Sequence, residues 1–336
     1  MVRKAFQYPS APSTTINLGG IALRRFPTTQ HDLEAWGCPP KPRDHGFEEA
    51  WHKEAAVSVA VGDATYVTGD AGCGKDYTGE SIAYLTGMPL VTLQVTPNSE
   101  PQDWVGRTDL SGDGVGGTET VDVEGLLARA CRGFEKKLPN GDTIRVPAFI
   151  LISDGDRARD LEIFRHAFEG DEGRRFFVSP TTGKQIPVFP GTVFYMTGNT
   201  ALDGDGGKGM VASQLDASIV NRLAGVHAGE PTEKFERSIV SKLAPSWSST
   251  QVRGFVACMR GVRKALKNAG LPLEISARTA AQLVKRARLY ESMGRSHSEA
   301  VRDAWPCVSG HLADPDSRAV VEGAIDPHYG SKVIGG

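Results

Sequence analysis

Between residues 64 and 196 the apolar side chains come in short, largely unbroken runs. Residues 64–68 (Ala-Thr-Tyr-Val-Thr), 90–95 (Leu-Val-Thr-Leu-Gln-Val), 148–152 (Ala-Phe-Ile-Leu-Ile) and 191–196 each read as a strand. Such runs fit strands covered on both faces, the condition of a parallel sheet. Helical spacing is read over 47–60, 75–86, 123–137 and 160–169. The glycine-rich stretch 104–120 reads as a loop or hairpin. Residues 175–190, with Thr181-Thr182-Gly183-Lys184 at their centre, read as a β-hairpin. Beyond Pro231 only helices are predicted, over 233–243, 250–268, 276–292 and 298–308. Residues 1 to 45 are rich in Pro, Ser and Thr and read as an extended arm with one short strand in 15–23. The expected organisation is an arm (1–45), an α/β domain (46–230), and a helical lid with a tail (231–336).

Composition narrows the partners. Of the 336 residues, 40% are hydrophobic and 23% charged, which excludes a mostly disordered chain. Lys and Arg number 38 against 40 Asp and Glu, so bulk charge gives no support for a surface that grips nucleic acid. Basic helical faces (Arg260, Arg263, Lys264, Lys267, then Lys285, Arg286, Arg288) leave contact with DNA open. No apolar run approaches the ~20 residues of a membrane span. The first residues lack the apolar stretch of a secretory signal, and a cytoplasmic location is expected. Five scattered cysteines without a C-x-x-C pair argue against a disulfide framework or a zinc ribbon.

The strongest chemical signal follows the first predicted strand. Gly69-Asp70-Ala71-Gly72-Cys73-Gly74-Lys75 fits G-x-x-x-x-G-K and opens a predicted helix. In such a loop successive backbone N–H groups surround phosphates, and the lysine adds a full charge at the outer ones. Gly69, Asp70, Ala71, Gly72, Cys73, Gly74, Lys75, Asp76 and Tyr77 are therefore the expected ATP-binding residues. One position departs from the motif. The residue after the lysine should be Ser or Thr, whose hydroxyl ligates Mg²⁺, and here it is Asp76. A carboxylate beside a triphosphate is repulsive unless a cation lies between them. Either the site is damaged, or Asp76 is itself a metal ligand.

The run 149–152 leads into Ser153-Asp154-Gly155-Asp156-Arg157-Ala158. This segment resembles the strand-D-E-x-D/N-R-A motif of AAA+ ATPases of the MoxR group, most of all the cobaltochelatase ATPase subunit. Val105-Gly106-Arg107-Thr108-Asp109-Leu110 resembles the segment after that group's second strand. Met196-Thr197-Gly198-Asn199-Thr200, followed by Gly204-Asp205-Gly206-Gly207, is similar to its sensor and loop. The resemblance implies an α/β P-loop NTPase (AAA+) fold, a parallel sheet with helices on both faces, and an all-α C-terminal lid. It also implies ATP and Mg²⁺ as cofactors, a ring that is typically hexameric, hydrolysis that remodels a partner protein, and a partner carrying a von Willebrand-type metal-binding domain.

In the ungapped register Ser153 replaces the family's metal-binding Asp and Asp154 its catalytic Glu. Asp76 and Ser153 would then have exchanged the usual hydroxyl and carboxylate. In the other register Asp154 is the metal ligand and Gly155 stands where the Glu belongs. Metal candidates are thus Asp76, Ser153 and Asp154, and Asp154 is a methylene shorter than the Glu it replaces, which predicts slow turnover. Asn199 matches the first sensor and also suits a plain turn. Arg222, after Asn221, matches the arginine that reaches a neighbouring subunit's γ-phosphate, against the alternative of a surface salt bridge. Arg278, in Ser276-Ala277-Arg278, matches the lid sensor. The hairpins near 106–121 and 173–190 match the group's insertions, and their Phe176, Phe177 and Lys184 are candidates for substrate contact or for packing within the hairpin.

Overall fold

A tight antiparallel hairpin begins the described chain in place of the single strand expected there. β1 (Thr14–Leu18) pairs with β2 (Ile21–Arg25), and Gly19 and Gly20, both at positive φ, turn the run back on itself. The computed structural model describes residues 13–42, 47–112, 118–158, 161–169, 174–200, 202, 216–271, 273–312 and 314–330. Helix α1 (Gln30–Ala35) follows, its N-terminus closed by a reciprocal Thr29–Asp32 capping box.

Asp32 also accepts from Lys136 Nζ at 2.6 Å. Burial works to raise the Asp32 carboxyl, but hydrogen bonds from Lys136 and Thr29 outweigh it and hold it down at about 2. A carboxyl depressed in the folded state stabilises above its ordinary value of 3.8, and that stabilisation is lost as pH falls toward 2. Asp32→Asn is therefore expected to cost about 1 kcal/mol at neutral pH, allowing for solvent screening. Denaturant titrations of the two proteins should converge once the pH has dropped through that window.

The chain divides into two compact units. One holds Lys75–Gly229 with the chain up to Gly69, and the other holds Asp70–Gly74 with the chain from Glu230 onward. In the first unit α2 (Ala50–Val61) leads into β3 (Ala64–Gly69), α3 (Lys75–Thr86) and β4 (Leu90–Gln94). Next come α4 (Pro101–Val105), a hairpin of β5 (Gly106–Gly112) and β6 (Thr118–Glu124), and α5 (Leu126–Cys131). A second hairpin pairs β7 (Phe134–Lys137) with β8 (Thr143–Val146). Then follow β9 (Phe149–Ser153), α6 (Arg165–Phe168), a third hairpin of β10 (Phe176–Val178) and β11 (Gln185–Pro187), β12 (Val193–Gly198), α7 (Ala217–Val220) and β13 (Leu223–Ala228).

Five strands form one sheet in the order β13-β3-β12-β9-β4, and every pair is parallel. All residues of β9 and β12 are buried, as the unbroken runs required. Alternation sends Ile150, Ile152, Phe194 and Met196 into a core shared with Leu127, Phe164 and Phe168, while α3 packs across the strands from the other side.

The helix expected over 123–137 forms only over Leu126–Cys131. Gly125 and Gly133 bracket a six-residue helix, and the alternating Phe134-Glu135-Lys136-Lys137 forms a hairpin strand. The expected helix over 160–169 is reduced, in the described part, to a 3₁₀ turn (Glu162–Phe164) and the four-residue α6. β13 was not foreseen: Gly225 interrupts its apolar run, and its edge position leaves part of it exposed.

The second unit is helical: α8 (Glu233–Leu243), α9 (Ser249–Asn268), α10 (Ala277–Ser292), α11 (His297–Ala304), α12 (Pro306–Ser309) and α13 (Pro315–Tyr329). Pro306 splits the helix expected over 298–308, since it cannot donate to the preceding turn but suits a helix start. Phe255, Met259 and Val262 of α9 pack with Leu283 and Val284 of α10, Val301 and Trp305. The basic faces are partly committed inside this unit. Arg260 and Arg263 bind the buried Glu236 at 2.8 and 2.7 Å, and Arg288 donates to Leu243 O at 3.2 Å. Among the described residues no helix is long and apolar enough to cross a membrane.

Candidate functional site

Because the strands run parallel, their carboxyl ends lie along one edge of the sheet, where ligands of open α/β sheets bind. Thr68 of β3 is level with Gly198 of β12, and Ile152 of β9 with Met196. The chain leaves β3 at Gly69, whose φ of +151° suits glycine and where a Cβ would collide with Ala228 O. Gly72 and Gly74 also have positive φ, so each motif glycine meets a backbone demand. Loop residues Asp70, Ala71, Gly72, Cys73 and Gly74 belong with the helical unit. Within it, a Cβ on Gly72 would lie 2.5 Å from Ser276 Oγ and 3.7 Å from Arg278 Cβ. The start of α10 thus borders the loop. Arg278 is exposed there and has no recorded side-chain partner among the described residues.

Lys75 is the first residue of α3, with Asp76 and Tyr77 in the same turn. The lysine side chain folds inward, and Lys75 is only 7% exposed. Its Nζ donates to Gly69 O at 2.8 Å and to Asn199 Oδ1 at 3.0 Å. The structure therefore brings the sensor candidate directly to the loop lysine. Tyr195 Oη, from β12, donates to Lys75 O at 3.3 Å.

Asp76 points at the strand ends. Its Oδ2 accepts from Ser153 Oγ at 2.7 Å, and its Oδ1 accepts from Thr197 Oγ1. Ser153 and Asp76 are thus hydrogen-bond partners. Thr197 was not anticipated, although it lies two residues after Tyr195 and so on the same face of β12. The Asp76 charge is felt one turn further on, where burial, and then Asp76 itself, push the Glu80 carboxyl up.

Asp154 is placed differently. It is half-buried, with a left-handed backbone (φ 56°), and its recorded side-chain contact is from Gln94 Nε2 at 3.2 Å. Such a conformation costs a non-glycine residue about 1 kcal/mol and marks positions that the surroundings over-determine. Gly155 abuts the Met196 side chain so closely that no Cβ fits, so the other register's Glu position takes no side chain here. Asp156 is buried beneath the end of β12.

Arg222 is held within its own chain. Nε and Nη2 bind Glu169 Oε2 at 2.9 and 2.8 Å, and Nη1 donates to Ser218 O. In the single chain this is the salt bridge that sequence left as the alternative. Phe177 is buried in the α/β core, and Phe176 stacks on His166, so both hairpin aromatics pack. Lys184 is exposed at the hairpin turn. The stretch Gly204-Asp205-Gly206-Gly207 lies outside the described residues.

These side chains suit a hard cation. One carboxylate and two hydroxyls gather beside a phosphate-type loop, and Mg²⁺ is commonly held by one or two carboxylates with phosphate and water completing its shell. Among the described residues no group of three or more His, Cys, Asp or Glu gathers. Asp76, Ser153 and Thr197 are therefore the residues that would hold it.

The sheet, the loop and the helical C-terminal unit together make an α/β P-loop NTPase fold. No family model and no curated protein matches the chain. Among solved structures it is similar to the Thermotoga maritima RuvB Holliday junction branch migration motor, at 13% identity over 78% of this chain and 70% of that one (TM-score 0.44). It is also similar to an arginine-to-alanine variant of Thermotoga maritima RuvB, at 12% identity over 78% and 70% (TM-score 0.47). A proline-to-glycine variant gives 11% identity over 76% and 70% (TM-score 0.45).

Proposed function

We propose that this chain is an AAA+ ATPase of the MoxR type, most like the cobaltochelatase ATPase subunit. It binds Mg-ATP and hydrolyses it slowly. It works as a ring, with a hexamer expected, and remodels a partner protein, for which a von Willebrand-type metal-binding domain is the expected companion. The observation that carries the reading is the Asp76–Ser153 contact at 2.7 Å beside the Lys75–Asn199 contact at 3.0 Å. It supports an exchange of side chains between loop and strand that keeps one carboxylate and one hydroxyl in the set.

Lys75 and the loop N–H groups bind the phosphates, and Asn199 orients the lysine. A bound Mg²⁺ would neutralise charge developing on the phosphate oxygens. Asp154, next after Ser153 at the same strand end, accepts a proton from water in this reading, and the contact from Gln94 Nε2 supports that role. Arg278 and Arg222 are reserve cations for the outer phosphates. Arg222 would first have to leave Glu169 to serve a neighbouring subunit. The commitment of Arg260, Arg263 and Arg288 to internal partners weighs against a DNA-acting motor.

Asp154→Ala tests the reading. Phosphate release should fall about a hundredfold, while Mg-nucleotide affinity stays within about threefold. Unchanged release would remove Asp154 from the chemistry. Nucleotide binding without any release by the wild-type chain would leave ATP as an assembly ligand only.

A further inference from the structure

Asp156 is 2% exposed and lies in the 3₁₀ turn (Gly155–Arg157) that follows β9. Its Oδ2 accepts three hydrogen bonds: from Asn199 N at 2.8 Å, Thr200 N at 3.0 Å and Thr200 Oγ1 at 3.1 Å. Two consecutive residues just beyond β12 are thus fastened to one oxygen. The same segment is gripped from β3, where Tyr66 Oη and Thr68 Oγ1 both donate to Thr200 O, at 2.6 and 2.8 Å. Asn199 sits inside this frame, its N–H on Asp156 and its Oδ1 on Lys75 Nζ.

We infer that Asp156 is a positioning residue that sets the Asn199 carboxamide against Lys75, so that the site distinguishes a nucleoside triphosphate from a diphosphate. The inference rests on the phosphate-site reading above. A carboxylate is suited to the task because bonds from N–H and O–H donors to a charged acceptor are stronger than neutral ones. One oxygen collects all three donors, while Oδ1 is buried and has no hydrogen-bond partner among the described residues. The loop lysine meets the outer phosphates, so a carboxamide fixed against that lysine is placed where the two nucleotides differ. Asp156 bonds to Asn199 and Thr200 and acts on the lysine through Asn199.

The test uses the full chain in magnesium buffer, with ADP and a non-hydrolysable ATP analogue as probes in equilibrium binding. The readout is the ratio of their dissociation constants, which global damage to the site would not change selectively. Asp156→Ala should reduce the preference for the triphosphate about tenfold and leave ADP affinity within about threefold. Asp156→Asn, which keeps an acceptor oxygen, should lose about threefold. Asn199→Ala should match Asp156→Ala, and the double variant should be no worse than either, since the two act in series. Thr200→Ala, which withdraws one donor and keeps the carboxylate, gives a smaller loss and serves if Asp156→Ala does not fold. An unchanged ratio in a folded Asp156 variant, or losses that multiply in the double variant, overturns the inference alone. Failure of the wild-type chain to bind either nucleotide overturns the phosphate-site reading and this inference with it.

Discussion

Asp76→Ser should weaken nucleotide binding in magnesium buffer and strengthen it in EDTA, a reversal of sign that a merely damaged loop would not produce. With the cation present, the Asp76 carboxylate contributes to holding it. Without the cation the same carboxylate faces the phosphates directly. Two unit charges about 4 Å apart repel by about 4 kcal/mol at the effective dielectric of a partly exposed site, and screening brings this to about 3 kcal/mol, or about a hundredfold in affinity. The wild-type chain is therefore expected to lose about two orders of magnitude when magnesium is removed, and Asp76→Ser much less. Adding Ser153→Asp should restore the magnesium-dependent affinity and hydrolysis that Asp76→Ser loses, because the two side chains already meet at 2.7 Å. A double variant worse than the single would refute the exchange. Calorimetric titration with ADP in the two buffers reads the affinities, and phosphate release from ATP reads the hydrolysis.

Gly198→Ala should lower the thermal midpoint by about 5 °C or more, corresponding to about 2–3 kcal/mol. Gly198 ends β12, and a Cβ there would run into Tyr66 Oη and lie 2.8 Å from Asp156 Cγ. Neither neighbour yields cheaply. Tyr66 is 4% exposed and bonded to Thr200 O, and Asp156 is tied to Asn199 and Thr200. Relief would have to come from the segment that carries Asn199, so triphosphate binding should suffer as well. Gly225→Ala is the matched control. It lies in the same sheet, a Cβ there meets nothing within 4 Å, and no loss is expected. Equal midpoints for the two variants would show that the frame around Thr200 gives way easily.

The sequence was most informative where one local rule decided the outcome. The runs that became β3, β4, β9 and β12 were readable because strands covered on both faces must be apolar almost throughout. The bounds of α3 and α8 were read as they stand, since a lysine-led loop starts the first and Thr232 caps the second. Where rules competed, the reading failed. At 123–137 spacing suggested a helix, yet two glycines and an alternating strand prevailed. α13 was missed because Gly323 and Pro327 break its pattern. At the site, the complementary departures at Asp76 and Ser153 were visible as a pair of anomalies. Thr197 and the anchoring by Asp156 were not, because each depends on segments far apart in sequence being brought together by strand register. The Glu169–Arg222 pair escaped for the same reason, its members being 53 positions apart in sequence.

Lys75 carries a last consequence. Its side chain is largely buried, and its ammonium group donates to Gly69 O and Asn199 Oδ1 before any anion arrives. Ligand capture at this loop then adds phosphate oxygens to a cation whose withdrawal from water was largely met during folding. The entropic cost of the encounter should be low for so charged a pair, and its selectivity should come from how well the newcomer fits the direction in which those two oxygens hold the ammonium group.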